Sequence, residues 1–487
     1  MPKNRKSTFV SSARSTASKS SQKIAQLKKE LKDLEKTLTP EMIEKVSAQV
    51  IAAQSNQLYK GIGETADNYL SKAVIVNPVS PEDTLQANVS VPSAAAIGPV
   101  SLVEKPYIYG YTSDYSGSAQ FRLIFPFNSI NSHFGHTGKI QCMVQNQIIT
   151  QEDILPFVRA FWFKNPYESN RAYEIFVYKK YQEKYQYKLI AELDDYVFEY
   201  PEWHPLFGKF TIDNARTLID NLRKVDEVIV ASENLKKLLI DLGVNTPINV
   251  LPNMLPKAYY GTDVNMRYRL KDLVKPTILY NGTNYHYGRT NGDFDGPIKD
   301  FIVNNLDNYN FIFMGVGRRA DGSLTLPDYL QQPAKEGRIK IMPHYAATEY
   351  PYALRQLRPD FVIAPLAECK FNEAKSDLRY LESAAAGAIF IGQVFSNGNS
   401  PYQFCRNTFE TTEDIESTIT RNLNKDQFNE NLKIQYDDLG TRWLDDVNNL
   451  LNIVKIFGDG IHGVQVTPEH EQYNQFKSRL DSDGFFR

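Results

Sequence analysis

Short apolar runs alternate with helical stretches over most of this chain, and that alternation restricts its fold more than any other feature. Lys188-Leu189-Ile190-Ala191-Glu192-Leu193 reads as a strand after a helical, Tyr- and Lys-rich stretch at 171–187. Val225 to Ser232 is a second strand, followed by a helix from Glu233 to Leu242 with Gly243 behind it. Ile248 to Asn253 is a strand and a turn. A second block repeats the pattern with strands at Pro276 to Tyr280, Asn310 to Gly317, Arg338 to Met342 and Ala388 to Ile391, and Asp360 to Pro365 precedes the last helix of that block. Strands that alternate with helices pair in parallel, because each crossover must return the chain to the same end of the sheet. The expectation is therefore α/β. Tyr107 to Tyr111, a Gly-bearing loop at 112–117 and a helix through Phe121-Arg122-Leu123-Ile124-Phe125-Pro126 read as the opening of a Rossmann-like half.

A chain of 487 residues at 42% hydrophobic content can bury two or three cores. A formal net charge of −2 excludes a protein that is basic throughout. No run approaches the roughly 18 apolar residues of a membrane helix, and a cytoplasmic location is expected. Cys142, Cys369 and Cys405 are scattered and lack C-x-x-C spacing, so neither a disulfide framework nor a zinc site is indicated.

The first 23 residues carry six Lys or Arg and no acid, the pattern of a disordered basic tail; a transit peptide is the other reading. Ile24, Leu27, Leu31, Leu34 and Leu38 then follow heptad spacing, and Thr39-Pro40-Glu41 opens a second helix to about Leu58. The expected organisation is a tail at 1–23, a helical or coiled-coil segment at 24–70, a linker at 71–105, one Rossmann-like domain at 106–262, a second at 263–438, and a crossing helix (Leu439 to Ile456) with a C-terminal tail at 439–487. Residues 24–58 could support a homo-oligomer.

The densest chemistry lies in Phe371 to Gly392. At 100° per residue, Lys375, Arg379 and Glu382 fall within about 60° of one another on a helix, beside an apolar stripe of Leu378, Leu381 and Ala385. Ser376 is the expected N-cap and Gly387 the expected C′ residue. Lys375 and the helix amides would face an anion, with Glu382 roughly 9 Å further along the axis, about the offset from a diphosphate to its ribose. A charged helix face with no ligand is the plainer alternative.

Asn372-x-x-Lys375-Ser376-x-Leu378-Arg379-x-x-Glu382 resembles the donor motif of GT-B glycosyltransferases of the family 4 type, N-x-x-K-S-x-[IL]-[KR]-x-x-E. The resemblance implies two Rossmann-like domains facing a cleft, and transfer of a sugar from a nucleotide-diphosphate sugar with retention of configuration. It makes Lys375 the diphosphate clamp, with Ser376 and Arg379 beside it, and Glu382 the ribose acceptor. The commoner E-x7-E form wants an acid at 374, which is Ala, so Glu373 is one residue out of register as the sugar contact. Gly282-Thr283-x-x-His286 resembles the family's G-[ST]-x-x-H near donor phosphates and sugar, interrupted afterwards by a Gly-rich insertion, Tyr287 to Asp293. Arg318 or Arg319 could help hold the leaving diphosphate.

The 114–126 stretch and Glu192-Leu193-Asp194-Asp195-Tyr196-Val197-Phe198 resemble N-domain segments of the same enzymes, with Glu192 in place of the first acid. Ile248 to Asn253 resembles the last N-domain strand. The Asp194-Asp195 pair could bind a divalent metal, but a structural or acceptor-side role fits the family better; no metal or cofactor is expected, the nucleotide sugar being a co-substrate. Glycan, protein and modified nucleic acid all stand open as acceptors. The rival reading is a non-catalytic GT-B-like sugar-binding or scaffolding protein oligomerised by its N-terminal helices; an epimerase would need an acid and base pair that is not evident.

Overall fold

The computed structural model describes residues 105–112, 115–135, 140–167, 169–261, 268–282, 286–287, 292–319 and 321–458. The tail, heptad segment and linker read at the N-terminus, Thr283, and the C-terminal tail beyond 458 lie outside these residues.

Two six-stranded sheets organise the chain, and every pairing in both is parallel. The first contains β1 (Tyr107–Tyr111), β2 (Gln141–Gln145), β3 (Val158–Lys164), β4 (Lys188–Leu193), β5 (Glu227–Val230) and β6 (Ile248–Val250), in the order β2-β1-β3-β4-β5-β6. The second contains β7 (Thr277–Asn281), β8 (Asn310–Met314), β9 (Ile339–Met342), β10 (Phe361–Ala364), β11 (Ile389–Gln393) and β12 (Thr408–Phe409), in the order β12-β11-β10-β7-β8-β9. The α/β reading therefore holds for both halves.

Sheets covered on both faces need apolar residues at odd and even positions alike, which is why the strands read as unbroken apolar runs. In β3, Phe161 and Phe163 point into one core with Tyr109 and Tyr178, while Ala160 and Trp162 point into the opposite core with Ile108 and Ile190. Phe161 stacks on Tyr178 with centroids 3.8 Å apart. The long early helix runs Phe125–Phe134 behind a π-helical stretch, Gln120–Ile124. Pro126 has no N–H to give the preceding turn, and the wider winding accommodates that loss.

The expected single helix from Leu439 to Ile456 is two helices, Lys425–Gly440 and Val447–Ile456. Between them Trp443 pairs with Leu255 as an isolated parallel bridge, with Leu255 N donating to Arg442 O and Leu444 N to Leu255 O. Asp446 caps the second helix by accepting from Asn448 N. The break turns the chain back, so that Leu450, Ile453, Val454 and Phe457 join the first sheet's core, Phe457 meeting Trp162 edge-on at 5.8 Å.

Candidate functional site

In an open parallel sheet, ligands settle outside the carboxyl ends of the two strands where the order reverses. In the second sheet those strands are β7 and β10, since β8 and β9 lie to one side and β11 and β12 to the other. β7 delivers Asn281, Gly282 and His286; β10 delivers the 365–377 segment and the helix Leu378–Ala386.

That helix differs from expectation at its start. Asp377, not Ser376, occupies the N-cap position, and its side chain makes no capping bond. Its carboxylate is drawn instead to the Arg442 guanidinium, at 3.0 and 3.2 Å, a charge-assisted pair stronger than a cap. Ser376 Oγ accepts from Asn253 Nδ2 at 2.7 Å. Lys375 thus lies in a loop ahead of the helix, with its ammonium 3.4 Å from Asp195 Oδ1 and 4.2 Å from the Phe371 ring centroid. The C-terminal end follows expectation: Gly387 has φ 75°, and Ala388 N reaches back to Ser383 O as in a Schellman motif.

Glu382 is buried rather than presented on an open face. Tyr260 donates to Oε1 at 2.8 Å, and Tyr350 and Asn281 Nδ2 donate to Oε2 at 3.2 and 3.3 Å. Burial pushes Glu382 up to about 7 despite these hydrogen bonds and the nearby Arg379. Arg379 lies over the Tyr280 ring at 4.9 Å and donates from Nη2 to its hydroxyl at 3.2 Å. Gly282 is needed beside this ring: a Cβ there would stand 2.6 Å from Tyr280 Oη.

His286 Nδ1 lies 2.6 Å from Asp293 Oδ2. Burial, then the Arg379 charge, lowers His286 to about 4, so the ring is neutral near neutral pH. Asp293 is the last residue of the stretch read as an insertion, yet it is 1% exposed and also accepts from Ala367 N and Asn372 Nδ2. Glu373 ends the short Lys370–Glu373 helix and accepts from Asn397 Nδ2. Arg318 lies on an exposed turn after β8, donating to Gly322 O. The structure thus gathers Lys375, Arg379, Glu382, Gly282 and His286 about the ends of the two reversal strands, and sets Arg318 on the turn that follows β8, the strand beside β7.

Three buried polar atoms at this crevice have no hydrogen-bond partner among the described residues: Arg379 Nη1, Asn281 Oδ1 and Asn372 Oδ1. Buried polar groups in native proteins are nearly always paired, and these three share that exception with atoms elsewhere, Arg122 Nη2 and Glu192 Oε2 in the first sheet's cluster among them. Tyr260 and Tyr350 were not legible as site residues. Each is one of two tyrosines on a short helix, Tyr259 and Tyr260 on Lys257–Tyr260 and Tyr350 and Tyr352 on Tyr350–Leu357, and nothing periodic separates it from core tyrosines.

The first sheet contributes an acidic and basic cluster at its own strand ends. Arg122 pairs with Glu192 at 2.6 Å and donates to Leu251 O and Asn253 Oδ1. Burial raises Glu192 to about 7 against that guanidinium. Asp194 accepts from Ser118 and lies 3.5 Å from Lys164, and burial raises Asp195 against Lys375. Among the described residues no three His, Cys, Asp or Glu side chains gather as metal ligands, and no helix is long and apolar enough to cross a membrane.

No family model matches the chain, and no curated protein matches it by sequence. Solved structures similar in chain path include a sucrose-phosphate synthase from Thermosynechococcus elongatus, at 11% identity over 78% of this chain and 100% of that one, TM-score 0.37. An α,α-trehalose 6-phosphate synthase from Burkholderia multivorans is similar at 9% identity over 70% and 84%, TM-score 0.39. An α-glucosyltransferase in complex with UDP and a mismatched 13-mer DNA is similar at 11% identity over 72% and 98%, TM-score 0.45. These likenesses assign no role to any residue.

Proposed function

We propose that this protein is a GT-B glycosyltransferase that takes a sugar from a nucleotide-diphosphate sugar, with retention of configuration as the family resemblance implies. The observation that carries the proposal is the set of unpartnered polar atoms on Arg379, Asn281 and Asn372, placed at the strand-order reversal beside Lys375 and Glu382. Arg379 and Lys375 are the cations suited to charge growing on the leaving diphosphate. Glu382 has lone pairs left for a ribose hydroxyl alongside its tyrosine donors. Asp194 and Asp195, which follow β4 of the first sheet, suit the acceptor side, whose occupant is to be sought among glycans, proteins and modified nucleic acids.

Calorimetric titration with UDP, ADP and GDP tests the donor site, followed by hydrolysis of the matching nucleotide sugars with and without EDTA. Binding of one nucleoside diphosphate, and turnover that persists in EDTA, are expected. Failure of all of them to bind would remove the proposal; turnover lost to EDTA and restored by Mn²⁺ would bring the Asp194-Asp195 pair into the chemistry.

A further inference from the structure

Asp293 joins the ends of the two reversal strands. Its Oδ2 meets His286 Nδ1 at 2.6 Å on the β7 side, and its Oδ1 accepts from Ala367 N at 2.9 Å and Asn372 Nδ2 at 2.8 Å on the β10 side. Asp293 is held below the ordinary carboxylate value: burial pushes it up, but His286 and the Ala367 amide together outweigh that. An ionised carboxylate only accepts, so Nδ1 must carry the single proton of the neutral ring, and Nε2 keeps its lone pair.

We infer that Asp293 is a positioning residue that fixes the Nδ1–H tautomer of His286, so that Nε2 accepts a hydrogen bond from a hydroxyl of the donor's sugar. The inference rests on the proposed nucleotide-sugar function and adds to it which part of the donor His286 reads. A phosphate oxygen also offers only lone pairs and is repelled by Nε2, whereas a sugar presents O–H donors. His286 therefore discriminates a nucleotide sugar from the bare nucleoside diphosphate, while the cations Arg379 and Lys375 nearby serve the phosphates.

Asp293→Asn tests this. The amide oxygen keeps the bonds to Ala367 and Asn372, but the amide nitrogen now donates to Nδ1, so the ring proton moves to Nε2. Losing an accepted hydrogen bond and leaving the sugar hydroxyl unpaired in a buried site costs about 10–100-fold. The expected result is a loss of about that size in affinity for the nucleotide sugar, with affinity for the matching nucleoside diphosphate unchanged or tighter. NMR of the histidine ring nitrogens should show Nδ1–H in the wild type and Nε2–H in the variant. Equal losses for nucleotide sugar and nucleoside diphosphate, or an Nε2–H tautomer in the wild type, overturn the inference; the wild-type spectrum decides even if the variant does not fold. Should the wild type bind no nucleotide at all, the proposed function falls, and the spectrum still judges the Asp293–His286 pair separately.

Discussion

Glu382→Gln should change the stability of this protein in a way that depends on pH. Burial raises Glu382 from an ordinary 4.5 to about 7, so the folded state binds a proton over a range where the unfolded chain has released it. Stability from this group is therefore present in acid and is lost as pH rises through that window, the reverse of a salt-bridged carboxylate. A rise of that size corresponds to about 3 kcal/mol between about pH 4 and pH 8. Gln is nearly isosteric and neutral throughout. Its carbonyl can accept from Tyr260 and its amide can donate to Tyr350, while Asn281 Nδ2, which donated to Oε2, keeps its bond to the Tyr350 hydroxyl. Relative to wild type, the variant should gain about 3 kcal/mol as pH goes from about 4 to about 8, read from urea unfolding at both pH values. Subtracting the variant from the wild type isolates Glu382 from Glu192, which also titrates near 7. A difference that does not change with pH would refute the assignment of a buried, easily protonated carboxylate. The same variant should bind donor more weakly, having lost its anionic acceptor.

Lys375→Ala should weaken nucleoside diphosphate binding by about 1.5–3 kcal/mol, the worth of a charge-assisted bond, with little change in unfolding; wild-type affinity by calorimetry would remove Lys375 from the donor site. Gly282→Ala forces a methyl to within 2.6 Å of Tyr280 Oη, and should cost about 1–3 kcal/mol and weaken donor binding through the displaced Arg379, whereas an unaltered melting curve contradicts the packing described. Arg122→Met strands the Glu192 carboxylate, which is fully buried, and should cost about 3–5 kcal/mol, of which the double Arg122→Met, Glu192→Met variant recovers about half or more; additive losses would show that the two do not act as a pair.

How far the sequence could be read depended on whether a feature was local. Strands β1 and β4 matched their expected ranges, because strands covered on both faces are mostly apolar, the Arg122-paired Glu192 of β4 being an exception. Gly387 was legible as a helix end because few residues but Gly take φ 75°. Ser376 as N-cap was a sound local expectation that a distant residue overrode: Arg442, 65 positions away, captures Asp377 and sets where the helix begins. Asp293 was hidden for the same reason. Its partners lie 7, 74 and 79 positions away, and glycine-rich surroundings made it look like loop.

The loop carrying Lys375 is shaped as much by the first half of the chain as by the second. Ser232 Oγ donates to Ala374 O at 2.6 Å, Asn234 Nδ2 to Glu373 O at 3.0 Å, and Asn253 Nδ2 to Ser376 Oγ at 2.7 Å. These donors follow β5 and β6, so the strand ends of one sheet hold the backbone from which Lys375 of the other half projects. Asp195 then holds the ammonium itself, but its side chain is 41% exposed, and an ion pair of that kind is worth about 1 kcal/mol or less. A diphosphate carries more charge and brings the Lys375 interaction into a less exposed setting, where it exceeds what Asp195 supplies. On the proposed function, Asp195 keeps Lys375 extended toward the donor before the donor arrives, and yields it at small cost when the diphosphate binds.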